Sequence, residues 1–475
     1  MIMDHTIQKP YEGWVNKKDI FFILLSFFIL IFFYFLPTPE GLTHDAQMMI
    51  GILIMAALLW ITEPIPLAVT GLLIMILQPL LGLISADNVF SSFGNQAIFF
   101  LIGAFIIAGA VEKYGIHRRM ALRFLRRFEN SPRFFTFGIM LSCALLSFVI
   151  PNHGVAALFL PIVASILLAM KIVPRMSNFG KICMLCVAYG CSIGSLGTLI
   201  GGARNPLTIS FLEDIGITVS FFDWMLYSMP VVFISLPVVW VILHISFPVE
   251  IQDISLAKQE IENQVALEGS MGKQEFIVLF VLCFTVFLWV FFSQYTYFGI
   301  AVIAILGCVL LFFTGSISWK DVEQRLPWGI ILLYGGAITL GIGMQQTGAG
   351  AWIAHSLIYN LSGNPYFVIL GLIIFTVILT NAMSNTGAVA VLLPIGLAIA
   401  TEIQGVSPLL SAMLIALSGG LAFILVIATP GNAIAYSSGY FSTRDLLKAG
   451  VIANISCIGI LFTIAIVYWK GVLGL

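Results

Sequence analysis

The chain is poor in charge: of 475 residues only 9% are Asp, Glu, Lys or Arg, while 60% are hydrophobic. That shortage excludes an ordinary soluble domain and argues against a nucleic-acid partner, because no soluble basic domain is present to carry one. Missing too is the alternation of apolar and polar residues, in segments of about 10, that marks outer-membrane barrel strands. The polar start, MIMDHTIQKPYEGWVNKKD, has no small-residue cleavage site behind a short apolar run, so the first apolar segment is predicted to stay. The seven cysteines fall in or beside apolar segments, and Cys183 and Cys186 form a C-x-x-C with no second pair or nearby histidines to make a metal or redox site. There is no HExxH and no pair of aspartates, which argues against an intramembrane enzyme.

What is abundant is apolar sequence in runs of about 18 residues or more, each able to cross a ~30 Å hydrocarbon core. The fold class expected is an all-α polytopic membrane protein with about 11 transmembrane helices and two re-entrant helical hairpins. The stretch EKYGIHRRMALRFLRRFENSPRF (112–134) sets Arg118, Arg119, Arg123, Arg126, Arg127 and Arg133 among leucines and phenylalanines. This suits an amphipathic helix on an anionic membrane surface, with lipid as its partner.

Taking that stretch as cytoplasmic, the positive-inside rule puts the other basic connections on the same side if 134–170 and 364–403 enter and return. The connections near 37–45, 85–95, 294–298, 345–364 and 402–408 are then external and hold no Lys or Arg. The N-terminus is expected inside and the C-terminus outside, in the cell membrane. Scaffold helices are expected in 1–95, a first inverted repeat in 96–248, a cytoplasmic linker in 249–274, further scaffold helices in 275–326 and a second inverted repeat in 327–475.

An internal duplication supports this division. Aligning IGAFIIAGAVEKYGI (102–116) with GGAITLGIGMQQTGA (335–349) sets a register that, unchanged, also lays PNHGVAALFLP (151–161) on SNTGAVAVLLP (384–394). GGARNP (201–206) matches ATPGNA (428–433) in a slightly shorter register. Inverted repeats with broken helices are how many secondary transporters build a midplane substrate site. At each break, unpaired backbone N–H groups and the positive helix end suit an anion. Asn152 and Asn385 add amides, Ser384 and Thr386 add hydroxyls, and carbonyls in 198–206 and 428–432 are hard ligands for Na⁺. Trp60, Trp224, Trp328 and Trp352 are expected as interfacial anchors.

The paired hairpin motifs, WITEPIPLAVTGLLIMILQPLLG (60–82) and TPGNA followed by SGYFSTRDLLKAG (438–450) resemble the divalent anion/sodium symporter family of di- and tricarboxylate carriers. The resemblance runs from about residue 50 to the C-terminus. It implies a homodimer, a scaffold at the dimer contact and an elevator-like transport domain holding both hairpins. Each hairpin of that family carries a Ser-Asn-Thr signature that binds substrate carboxylate, with sodium beside it. Ser384, Asn385 and Thr386 match in full, and Asn152, His153, Gly154, Thr429 and Pro430 join the implied substrate set. Thr380, Asn385 and the Ala428 carbonyl are implied at a second sodium position.

The first hairpin departs from the signature, with Pro151 in place of serine, His153 in place of threonine and Arg204 in the partner loop. Burying an arginine at membrane depth costs about 2.5–3.5 kcal/mol on insertion scales, so it is expected to have work there. The reading is that Arg204, helped by His153, replaces the first sodium as a fixed charge, which favours sodium-independent exchange of dicarboxylates. His153, ordinarily titrating near ~6.5, would add pH dependence. The alternatives are a sodium-coupled dicarboxylate symporter and, for Arg204, a pairing with Glu213 or Asp214 near an interface.

Overall fold

The computed structural model describes residues 16–360 and 364–475, and no strand occurs among the described residues. Lys9 and the rest of the segment before residue 16 lie outside them. Ten described helices are long and apolar enough to cross a membrane, from Lys17–Phe35 to Thr443–Lys470, and the shorter Leu67–Leu80, Pro132–Leu146, Ile300–Phe313 and Pro408–Ser418 are also apolar. The protein is therefore a multi-pass helical membrane protein.

Duplication is written into the helix boundaries. Leu67–Leu80 recurs as Ile300–Phe313, and Asn152–Ala169 as Asn385–Glu402, with both ends of both pairs in the register of the aligned motifs. The register has shortened by Phe221 and Thr443, which open the last long helix of each half. Local chemistry repeats with it. Ser131 and Asn364 cap helices that carry Pro132 and Pro365 in their first turns, and Ser220–Asp223 and Ser442–Asp445 form matching capping boxes. Each cap is worth about 1 kcal/mol and marks where its helix starts. The correspondence reaches upstream of the aligned motifs, since Leu67–Leu80 belongs to it.

The halves pack reciprocally, Leu67–Leu80 on Trp328–Gln346 and Ile300–Phe313 on Gln96–Lys113. At the first crossing a Cβ on Gly336 would strike the backbone of Gly71; at the second a Cβ on Gly103 would lie 2.6 Å from the Ala304 carbonyl. These are small residues at equivalent positions, and they let the backbones approach where lipid supplies no hydrophobic drive between helices. Trp60 and Trp224 correct an expectation: both are fully buried and donate their indole N–H groups to Leu67 O and Leu196 O at 3.3 and 3.0 Å. A tryptophan whose N–H finds a carbonyl is stable in the core. Trp328 stays half exposed, consistent with an anchor.

Two helical hairpins, Pro132–Leu146 with Asn152–Ala169 and Pro365–Ala382 with Asn385–Glu402, carry the tips. The second begins and ends at one face of the protein, where Gly405 lies beside Pro365 and its carbonyl accepts from Lys470 Nζ. The first meets the linker at the opposite end of its own second helix, where Gln264 donates to Ser165 Oγ at 2.6 Å. That linker is a helix, Ser255–Glu268, with Ala257 and Ile261 buried against its neighbours.

Candidate functional site

Both tips place an asparagine at the first position of a helix: Asn152 opens Asn152–Ala169 after Pro151, and Asn385 opens Asn385–Glu402 after Ser384. Neither preceding residue supplies a side-chain cap. No side chain therefore takes up the first-turn N–H groups, unlike those of the Ser- and Asn-capped helices leading into the same hairpins, although at the first tip Asn152 N and Gly154 N donate to the Gly201 and Pro151 carbonyls. Asn152, Gly154, Asn385 and Thr386 are partly exposed and His153 is exposed, so both helix starts open onto accessible space. An anion at such a start meets oriented N–H groups and the positive end of the helix dipole.

Each tip is braced by an unwound loop of its own half. In the first, Thr198 Oγ1 donates to Phe148 O at 2.7 Å and Asn152 N to Gly201 O at 3.3 Å. Asn205 Nδ2 then ties the loop to itself through Ser195 O and Thr198 O, at 2.8 and 2.6 Å. In the second, Asn432 Nδ2 reaches Ala422 O and Leu425 O at 2.9 and 3.0 Å. Ser195, Thr198 and Asn205 map onto Ala422, Leu425 and Asn432 in the register that lays GGARNP on ATPGNA, so the paired asparagines are one staple used twice. Sequence alignment brings Asn205 and Asn432 together but says nothing of this role, because their partners are backbone carbonyls. Asn381 adds a brace without a counterpart among the described residues of the first tip, accepting from Ile424 N at 3.0 Å and donating to Val377 O at 2.7 Å.

The second tip concentrates oxygen. Thr380 Oγ1, fully buried, lies 2.9 Å from Asn385 Oδ1 and 2.7 Å from Gly419 O. With the amide turned this way the three oxygens share a single proton, since a hydroxyl donates only once. Surplus lone pairs in a partly buried cluster suit a hard cation. Ala428 and Thr429, both buried, lie in the same half's loop, where Thr429 Oγ1 caps Pro430–Ser437 by accepting from Asn432 N at 3.0 Å. Pro430 is exposed. The first tip differs: the residue matching Thr380 is Ser147, whose buried hydroxyl has no hydrogen-bond partner.

Arg204 does not lie on one tip alone. It is 2% exposed, and Nη2 donates to Ser195 Oγ at 2.9 Å while Nε donates to Ala416 O at 3.1 Å. Ser195 caps the C-terminus of Asn178–Gly194, and Ala416 lies in the last turn of Pro408–Ser418. The guanidinium thus sits where two helix C-termini, one from each half, present their negative ends. A Cβ on Gly420 would collide with it. The alternative pairing with Glu213 or Asp214 is not formed, since those residues end the 11-residue helix that Arg204 begins, about 15 Å away along its axis. Arg204 belongs to no ion pair among the described residues.

One further string, Gly190-Cys-Ser-Ile-Gly194, spells G-x-S-x-G. It lies inside a helix with Ser192 Oγ donating back to Ala188 O at 3.0 Å, whereas a nucleophile needs a sharp strand-to-helix turn.

A family model described as the sodium:sulfate symporter transmembrane region matches residues 17–475. The sodium-dependent dicarboxylate transporter SdcS of Staphylococcus saprophyticus is 29% identical, over 96% of this chain and 92% of that protein. SdcS of Staphylococcus aureus strain USA300 is also 29% identical, over 97% and 92%, and an uncharacterized transporter of Haemophilus influenzae is 28% identical, over 96% and 98%. Among solved structures, the Alcanivorax borkumensis YdaH transporter superposes with a TM-score of 0.56 at 13% identity, over 90% of this chain and 98% of that one. Neisseria gonorrhoeae MtrF does so with 0.57 at 13%, over 95% of each. These two likenesses concern the fold.

Proposed function

The chain belongs to the sodium:sulfate symporter family, the divalent anion/sodium symporter group its motifs resemble, and is a transporter rather than an enzyme; from that premise we propose that it carries dicarboxylates across the cell membrane. The observation that carries this reading is the pair of uncapped helix starts at Asn152 and Asn385, one in each half. Two carboxylates on one substrate match two anion-accepting helix ends. Asn152, His153, Gly154, Ser384, Asn385, Thr386, Thr429 and Pro430 form the proposed substrate set. C4-dicarboxylates, 2-oxoglutarate and citrate are the substrates to try.

Sodium coupling is the first reading. The named relatives are sodium-dependent, which favours the symporter alternative over sodium-independent exchange. The oxygen cluster of Thr380, Asn385 and Gly419 fits a sodium ion, with Ala428 completing the proposed ligands. When bound, the ion would offset part of the substrate's negative charge beside the second tip. Exchange is the second reading, favoured by Arg204, a buried cation with no carboxylate partner among the described residues. Its contacts with both halves make it a charge fixed between two helix C-termini.

Uptake of labelled succinate into proteoliposomes separates the two. A sodium gradient that concentrates succinate in vesicles free of internal anion supports coupling. Uptake that needs internal dicarboxylate and ignores sodium overturns it in favour of exchange, and Arg204→Ser in that assay tests the fixed charge. Absence of any dicarboxylate uptake overturns both. The re-entrant placement of the hairpins, the elevator movement, the homodimer and a cytoplasmic N-terminus are further parts of the proposal. Reciprocal packing of the halves and the return of the second hairpin to its starting face support the first two.

A further inference from the structure

The arginine-rich stretch is divided by the fold into two groups. Arg119 is buried and donates to Gly269 O and Glu268 O at 2.6 and 2.9 Å while pairing with Glu275 at 3.2 Å. Arg118 pairs with Glu268 at 3.1 Å and Arg126 with Glu262 at 3.0 Å, so these three hold the linker helix. Arg123, Arg127 and Arg133 are exposed and pair with no carboxylate among the described residues. Glu129, the acid nearest them in sequence, is turned in and paired with Lys258 at 3.1 Å.

An aromatic wall stands beside the free group. Phe128 packs on Phe134 and Phe137 with centroids 5.0 and 6.3 Å apart, Phe137 on Trp240 at 5.5 Å, and Trp240 on His244 at 4.6 Å. Thr136 Oγ1 locks the wall to the arginines, donating to Arg133 O at 2.8 Å and accepting from Trp240 Nε1 at 3.1 Å. Arg127 lies 6.0 Å from the Phe124 ring. Beside the wall Phe134, Val241 and Ile245 are exposed on apolar helices. Three unpaired guanidinium groups, that of Arg127 over a ring, next to exposed aromatic and aliphatic side chains match a phosphate headgroup with its acyl chains alongside.

We propose that Arg123, Arg127 and Arg133, with the Phe128, Phe134, Phe137 and Trp240 wall, bind an anionic phospholipid at the junction of the amphipathic helix and the first hairpin. The inference rests on the membrane reading and is independent of what is transported. A free phosphate would use the arginines but not the wall, and the apolar continuation commits the site to a lipid.

The test uses the full chain in nanodiscs of phosphatidylcholine with phosphatidylglycerol, and native mass spectrometry after gentle extraction. Each arginine near an anionic surface is worth about a factor of five. The parent is expected to retain phosphatidylglycerol selectively. Arg123→Gln, Arg127→Gln or Arg133→Gln should each lower the selectivity about fivefold, and Arg118→Gln with Arg126→Gln should leave it within about twofold. Equal loss in both groups, or full retention when all three free arginines are replaced, overturns the proposal. Displacement of the lipid by millimolar inorganic phosphate at constant ionic strength also overturns it. The single variants and a gel-filtration check keep the test readable if the triple variant fails to fold.

Discussion

Replacing Thr380 with valine removes one hydroxyl and preserves the side chain's shape. In the protein that hydroxyl is buried, 2.7 Å from Gly419 O and 2.9 Å from Asn385 Oδ1. A lost hydrogen bond removes about 0.5–1.5 kcal/mol, and a buried carbonyl left unpaired costs about 1–3 kcal/mol. If the only role is structural, the variant melts lower and keeps its sodium dependence. If the oxygen is a sodium ligand, losing it should cost at least about 1.4 kcal/mol in binding, a tenfold rise in half-saturating sodium. The assay is succinate uptake into proteoliposomes across a sodium series, with potassium replacing sodium at fixed ionic strength. Thr376→Val is the control, because its hydroxyl donates to Leu372 O at 2.6 Å, one turn away on the same helix. Ser147→Ala probes the matching place in the first half, where the hydroxyl has no partner to lose. The expected pattern is a tenfold shift in Thr380→Val and none in either other variant. An unshifted curve in Thr380→Val refutes the assignment of the cluster to sodium.

Asn205→Ala and Asn432→Ala each break two hydrogen bonds to loop carbonyls, all buried but the partly buried one to Leu425, and should destabilise by similar amounts, about 2–4 kcal/mol, read as melting temperature in detergent. Very unequal losses would contradict the matched role. Gly420→Ala places a methyl against the Arg204 guanidinium and should slow uptake at least tenfold, with partial recovery when combined with Arg204→Ser; simple additivity would show that the two do not interact. Burial holds the His117 imidazole down to about 4, so between about 6.5 and 4 the unfolded chain binds more protons and stability falls as pH drops. By pH 5 the loss should be about 1–2 kcal/mol, and His117→Gln should abolish that part of the pH dependence of melting.

The hairpins were readable in the chain because a proline or serine before an asparagine interrupts an apolar run, and because the interruption at 151–152 recurs at 384–385 within matching flanks. Thr380, Asn385 and Ala428 were placed by family resemblance, and the structure brings the first two within hydrogen-bond distance of each other. Gly419, Ala416 and Ser195 were not legible, since they act through backbone groups or as ordinary loop residues. The arginine run looked uniform in sequence. Only the packing of the Ser255–Glu268 helix divides it into paired and free members.

Hydropathy, duplication and helix signals are local quantities, and they determined the membrane class, the two halves and the positions of both tips. The fate of Arg204 is not local. Its sequence neighbourhood suggests a first-tip charge or a partner in Glu213, whereas its contacts come from Ser195 in one half and from Ala416, far along the chain in the other. Which helix ends converge on a buried cation is decided by how the halves pack, because the dipole and carbonyl interactions act within a few ångströms in space and are blind to sequence separation.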